Sequence, residues 1–218
     1  MYDVFFFDLD GTITDSELAI INAFKYALLE QFSIVENDAE KLKKIISPNF
    51  TQSFMVCSNC TKDEAVKAIA KYREYYSENG TFETKVYEGI PELLYNLKKE
   101  GKTIILATSK PTSVAEKVLE HFELKQYFDY ISGGNIESSR NKKSKVIKHA
   151  IDECILKDKS SMVMIGDTKF DVEGAKEVGI NSIGVGYGVG TIEELKGANY
   201  VVDSVKELKN LLYKLCCI

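Results

Sequence analysis

Val4-Phe5-Phe6-Phe7-Asp8-Leu9-Asp10-Gly11-Thr12 runs four apolar residues straight into two carboxylates and a glycine turn. A short run that is apolar on both faces is a strand covered on both sides, the condition of parallel strands between two helical layers. The same form recurs down the chain. Thr103 to Ala107 ends in Thr108-Ser109-Lys110, and Met162 to Ile165 ends in Gly166-Asp167-Thr168-Lys169-Phe170-Asp171. Ser182 to Val185 and Tyr200 to Val202 complete a series of five predicted strands. Amphipathic segments lie between them. Pro91 stands at a first helical turn before Leu93, Leu94 and Leu97, and Gly101 stands where that helix should stop. Strand and helix in alternation predict an α/β fold, a doubly wound parallel sheet with a Rossmann-like core.

The alternation is interrupted between residues 16 and 84, which read as helix after helix. Leu18, Ile21, Phe24, Leu28 and Phe32 form one apolar stripe. A second helix opens on the capping box Thr61-Lys62-Asp63-Glu64, before Val66, Ile69, Tyr72 and Tyr76. The expected organisation is therefore a core of residues 1–15 and 85–218 with a small helical domain, 16–84, inserted in it. The linkers are expected near Thr14 to Ser16 and Asn79 to Thr84, with Gly80 making the second permissive, so that the insertion can open and close.

Composition narrows the function classes. The 218 residues are 44% hydrophobic and 28% charged, and no stretch approaches the roughly 20 apolar residues of a membrane helix. Met1-Tyr2-Asp3 does not begin a secretory signal, so a cytoplasmic location is expected. A net charge of −5 argues against a nucleic-acid partner, and the basic cluster Arg140, Lys142, Lys143, Lys145 reads as a solvated helix start. The five cysteines read as reduced thiols; Cys57 and Cys60 lack two further ligands at zinc spacing. Gly184 to Gly190 is glycine-rich without dinucleotide-binding spacing and is expected to be a flexible loop beside the reactive edge.

In open parallel sheets that edge is the carboxyl end of the strands. Asp8, Asp10, Asp167 and Asp171, brought there from two loops, would repel one another unless a cation sat among them, and oxygen ligands select magnesium. Hydroxyls at Thr108 and Ser109 and ammonium groups at Lys110 and Lys143 add the donors of a phosphoryl pocket. Asp8, ionised beside Mg²⁺ and Lys143, is placed to attack phosphorus, and Asp10 to protonate the leaving oxygen and then deprotonate water. Mg²⁺, Lys143, Thr108 and backbone N–H groups near Leu9, Asp10 and Gly11 would stabilise the charge spread over the transferring oxygens.

Asp-x-Asp-Gly-Thr at Asp8 to Thr12, the threonine Thr108, a later lysine and Gly-Asp-x-x-x-Asp at Gly166 to Asp171 together resemble the haloacid dehalogenase superfamily, over essentially the whole length. The resemblance makes residues 16–84 its helical cap. It implies that Asp8 is nucleophile and magnesium ligand, Asp10 the general acid and base, Thr108 a phosphate donor, and Lys143 the charge-neutralising lysine, with Asp167 and Asp171 completing the metal shell. Lys142 and Lys145 are alternatives to Lys143. Leu9, Gly11, Thr12, Ser109 and Lys110 are expected around the substrate phosphate. Because a dehalogenase needs no leaving-group acid, Asp10 favours phosphate chemistry.

Specificity is expected from the cap, where Ser47 to Phe54 resembles the substrate loop of phosphoglycolate phosphatase-like members. Asn49 and Phe50 are the substrate-facing candidates; Phe50 and Phe54 either contact a planar group or fill the cap's own core. The loop has no Arg or Lys for a substrate carboxylate, although Lys43 and Lys44 are near. The expected activity is hydrolysis of a small phosphorylated metabolite by a monomer or weak homodimer. A phosphosugar mutase, a nucleotidase and a pyrophosphatase are the alternatives, with a signalling receiver domain as a remote one.

Overall fold

The computed structural model describes residues 1–46, 49–135 and 140–216. In chain order the elements are β1 (Val4–Phe7), β2 (Thr14–Asp15), α1 (Glu17–Phe32), α2 (Ala39–Ile45), α3 (Phe50–Ser58), α4 (Lys62–Tyr75), a π-helical turn (Tyr76–Gly80), α5 (Thr81–Glu83) and β3 (Lys85–Val86). They continue with α6 (Ile90–Lys99), β4 (Thr103–Pro111), α7 (Thr112–His121), β5 (Tyr130–Gly134), α8 (Lys143–Glu153) and β6 (Met162–Gly166). The chain closes with α9 (Lys169–Val178), β7 (Asn181–Val185), α10 (Ile192–Leu195), β8 (Tyr200–Val202) and α11 (Val205–Cys216). It divides into two compact units, Met1–Asp15 with Val86–Ile218, and Ser16–Lys85.

The first unit holds a six-stranded sheet in the order β5-β4-β1-β6-β7-β8, and every pairing with a described register is parallel. Side-chain alternation along the strands makes two cores. Phe5, Phe7, Ile104, Leu106, Val163 and Ile165 face one layer with Leu93, Leu94, Val118 and Leu212. Val4, Phe6, Ile105, Ala107, Met162 and Met164 face the other with Val146, Ile147 and Ala175. That is why β1 reads as unbroken hydrophobicity: both of its faces are covered. The sheet is doubly wound, since from β1 the chain winds outward through β4 and β5, then returns to β1's other side with β6 and winds out through β7 and β8. The switch point lies at the carboxyl end of β1, where Asp8 begins.

Local signals are placed as expected around α6: Pro91 is in its first turn and Gly101 comes after it at φ +70°. β5 was not expected, because Ser132, Gly133 and Gly134 dilute its apolar run. Its glycines are needed for close approach, since a Cβ on Gly133 would sit 2.5 Å from the Thr112 nitrogen.

The described residues of the second unit are mainly helical. Ile21, Phe24 and Leu28 of the first expected stripe and Tyr72 and Tyr76 of the second are buried, but Leu18 and Val66 are exposed, and the buried face also takes in Ala19, Ala23 and Ala27 of α1 and Ala65 and Ala68 of α4. Small side chains let helix backbones approach closely and leave larger apolar neighbours outside. The capping box forms, with Thr61 N–H donating to Glu64 Oε2 at 2.8 Å and Glu64 N–H donating to Thr61 Oγ1 at 3.4 Å. The expected linker at Asn79 to Thr84 is largely helical. Gly80 is not a hinge of free backbone there; it makes room for the Tyr76 ring, which a Cβ would meet at 2.7 Å.

Candidate active site

β1 ends in a turn closed on itself. Ile13 and Thr14 N–H both donate to the Leu9 carbonyl at 2.9 Å, and Gly11 N–H donates to the Thr14 carbonyl at 2.7 Å. Gly11 has φ +79°, a conformation for which glycine is suited, and any Cβ there would run into the Asp167 carboxylate. Leu9 and Gly11, expected at the substrate, thus use their N–H groups at home: Gly11 in the turn, and Leu9 on Asp8 Oδ1 at 2.8 Å.

Asp8 is nearly buried, and Lys143 Nζ lies 2.8 Å from its Oδ1. The same ammonium is 2.8 Å from Asp171 Oδ1 and donates to the Ala107 carbonyl at 3.0 Å. α8 begins at Lys143, and Gly174 of α9 leaves space for its stem, which a Cβ would meet at 2.9 Å. Among the three lysines considered for this position, Lys142 points elsewhere, to Glu177 at 2.7 Å, and Lys145 is exposed. Burial would lower the Lys143 ammonium, but Asp171 and Asp8 outweigh it and hold its pKa raised.

Asp8, Asp167 and Asp171 each offer an oxygen within 4.8 Å of the others, and all three are buried. Burial pushes the Asp8 carboxyl up against the pull of Lys143, with Asp171 and Asp10 adding to the rise. Burial, then Asp171 and Asp8, push Asp167 up as well, opposed by the Val189 N–H. One ammonium does not balance three carboxylates. Asp171 Oδ1 is buried against the Lys143 ammonium at 2.8 Å, a cation it shares with Asp8. An all-oxygen donor set with surplus negative charge fits a hard divalent cation such as magnesium.

Asp10 is not part of this triad, contrary to its expected place among the metal carboxylates. Lys110, at the end of the neighbouring strand β4, donates to both of its oxygens, at 2.7 and 2.8 Å. Thr108 is buried and its Oγ1 accepts from Lys110 N–H at 3.3 Å; a hydroxyl that accepts still has a hydrogen to donate. Ser109 Oγ donates to the Asn141 carbonyl at 2.9 Å, a loop-holding role. Thr12, buried, donates to Asp167 Oδ1 at 3.3 Å, so it orients a triad member.

Sequence reasoning missed the task of the glycine-rich segment after β7. Val189 N–H donates to Asp167 Oδ2 at 2.9 Å, and Tyr187 Oη donates to the Thr12 carbonyl at 3.0 Å. Gly188 lies where a Cβ would strike the Gly11 carbonyl, and Gly190 where it would strike the Asp167 carbonyl. The segment expected to be flexible is a brace against Asp167. The glycines at alternate positions were its signal. Asp171 has its own brace, since Thr168 Oγ1 and N–H donate to its Oδ2 at 2.8 and 3.1 Å.

The model of the haloacid dehalogenase-like hydrolases matches residues 5–185, a span that includes all of these groups except the bracing segment Tyr187 to Gly190. The chain belongs to that family. It is 37% identical over 195 residues to a 5'-nucleotidase of Pseudomonas aeruginosa, covering 89% of this chain and 87% of that one. It is 28% identical over 211 residues to a phosphoglycolate phosphatase of Vibrio parahaemolyticus, covering 93% and 92%. The crystal structure of a predicted phosphatase from Clostridium acetobutylicum superposes with a TM-score of 0.91 at 42% identity, over 98% of this chain and 99% of that one. The haloacid dehalogenase-like chain is accordingly an enzyme of the phosphatase class.

Asn49 and Phe50 lie in the second unit. Asn49 Oδ1 caps α3 by accepting from Gln52 N–H at 3.2 Å, and the Phe50 ring packs on Tyr72 with centroids 4.4 Å apart. Phe54 is fully buried and stacked on Phe24 at 4.1 Å, so it fills the unit's own core. Ser47 and Pro48 of the same expected loop lie outside the described residues. Lys43 is held by Glu17 at 2.8 Å and Glu40 at 2.9 Å. Cys57 and Cys60 are free thiols, and among the described residues the acidic triad is the only group with metal-ligand spacing. No helix of the described residues is long and apolar enough to cross a membrane.

Proposed function

We propose that this protein is a magnesium-dependent phosphomonoesterase that carries the phosphoryl group of a small metabolite on Asp8. The observation that carries the reading is that both holds on Asp8, the Leu9 N–H and the Lys143 ammonium, fall on Oδ1. Oδ2 is then the oxygen for attack, on a carboxylate whose orientation is fixed. Asp8, Asp167 and Asp171 would hold the magnesium ion, which would supply neutralising charge for an incoming phosphate dianion. Lys143 and the Thr108 hydroxyl stabilise the transferring oxygens. Asp10 gives a proton to the leaving oxygen as the phosphorus–oxygen bond breaks, then takes one from the water that hydrolyses the aspartyl phosphate.

The substrate is a phosphorylated cytoplasmic metabolite rather than nucleic acid, in keeping with the net charge of −5, and the chain acts as a monomer or weak homodimer. The full-length similarity to a 5'-nucleotidase puts nucleoside monophosphates first in a screen, ahead of phosphoglycolate. Lys43, a cation near in sequence to the cap loop, is already occupied by two glutamates. With purified protein, phosphate release should require Mg²⁺ and stop with excess chelator, and Asp8→Asn should lower turnover by about 10⁴-fold or more. Full activity in either case would end the proposal. Quenching a labelled reaction over time separates the rival: a phosphoenzyme that persists until a sugar phosphate discharges it would make the protein a mutase.

A further inference from the structure

Two lysine–aspartate pairs flank the end of β1, and they are built differently. Lys143 is shared among Asp8, Asp171 and the Ala107 carbonyl, as befits a fixed charge in the phosphoryl pocket. Lys110 contacts both oxygens of Asp10, and its side chain is 8% exposed against 26% for Asp10. Lys110 therefore does not present a bare ammonium toward solvent for a substrate, and Asp10 cannot rotate about its Cβ–Cγ bond without giving up one of two short contacts. Strand geometry supports the pairing. β4 lies beside β1 in parallel register and runs on to Pro111, which carries Lys110 past the end of β1 to the level of the turn.

We propose that Lys110 is a positioning residue for Asp10, orienting the acid–base carboxylate toward the leaving group rather than binding the phosphate itself. The inference rests on the phosphatase reading above. A misplaced acid costs most where the leaving oxygen most needs a proton, so the loss should scale with leaving-group basicity. Binding a phosphate oxygen would affect every phosphomonoester alike.

The test is a double-mutant cycle read with two substrates. Lys110→Met should lower kcat for an alkyl phosphate by about 10- to 10²-fold, yet change phosphoenzyme formation from p-nitrophenyl phosphate by less than about threefold. Asp10→Asn with Lys110→Met should be no slower than Asp10→Asn alone on the alkyl phosphate. Lys110→Arg, which can still bridge both oxygens, should recover most of the loss. Equal losses on both substrates, a rise in KM on both with kcat unchanged, or additivity with Asp10→Asn would overturn the assignment. A crystal structure of Lys110→Met decides the matter without turnover: an Asp10 carboxylate displaced from its wild-type orientation supports positioning, and one left in place sinks it. If Asp8→Asn stayed active, the phosphoryl-transfer reading alone would fall, while that structure would still judge Lys110.

Discussion

The carboxyl edge of the sheet and the loop Ser47 to Phe54 were both expected to be functional from the sequence, and the edge and the described part of the loop, Asn49 to Phe54, are built to opposite plans. At the sheet edge the acidic groups are in excess and are held from behind. Asp167 is gripped by Thr12 and the Val189 N–H, Asp171 by Thr168, and Asp8 by the Leu9 N–H and Lys143. Apart from the single Lys143 ammonium, the groups that keep this negative charge in place are neutral and do not cancel it. In the helical segment each group is consumed by its own unit: Asn49 caps a helix, Phe50 packs on Tyr72 and Phe54 stacks on Phe24. An active site is recognisable by polar groups held against their own electrostatic preference, and a merely well-built helix start is not.

Mutations can break or sharpen this contrast. The largest effect in the helical unit belongs to Phe54→Ala, which should cost about 3–5 kcal/mol of stability by opening a cavity against Phe24. Chemical denaturation of the full chain would measure it, and a loss below about 1 kcal/mol would deny Phe54 a core role. Gly190→Ala at the sheet edge comes next. The added methyl meets backbone, so about 1–3 kcal/mol of stability should go, and half-maximal activity should need more Mg²⁺ as Asp167 is pushed aside. Unchanged activation by Mg²⁺ in that variant would show that the brace does not serve the triad. The smallest is Asn49→Ala, expected to cost about 1 kcal/mol through the lost cap and to leave KM unaltered. A raised KM at full stability would return Asn49 to the substrate and erase the contrast.

Much of the edge was legible because its residues come directly after strands whose hydrophobicity is unmistakable. Asp8, Thr108, Asp167 and Asp171 could be named from their place after β1, late in β4 and after β6, whereas Lys143 stood beside Lys142 and Lys145 as alternatives. Strand β5 was not legible, since Ser132-Gly133-Gly134 carries no β-propensity of its own and is a strand only because β4 pairs with it. Lys110 and the glycines at 188 and 190 were visible as residues, but not as parts of one structure.

The local sequence thus determined most of the core's elements, the parallel sheet and the identity of the acidic groups, because these depend on side-chain alternation and on the polar residues at each strand's carboxyl end. Only the tertiary structure decided the partners. Which lysine meets Asp8, that Asp10 belongs to Lys110 instead of the triad, and that a glycine-rich loop braces Asp167 all depend on contacts between residues 22 to 175 positions apart. No local propensity encodes such contacts; they arise when the sheet's register brings separate strand ends to one edge, where distance and charge select the pairs.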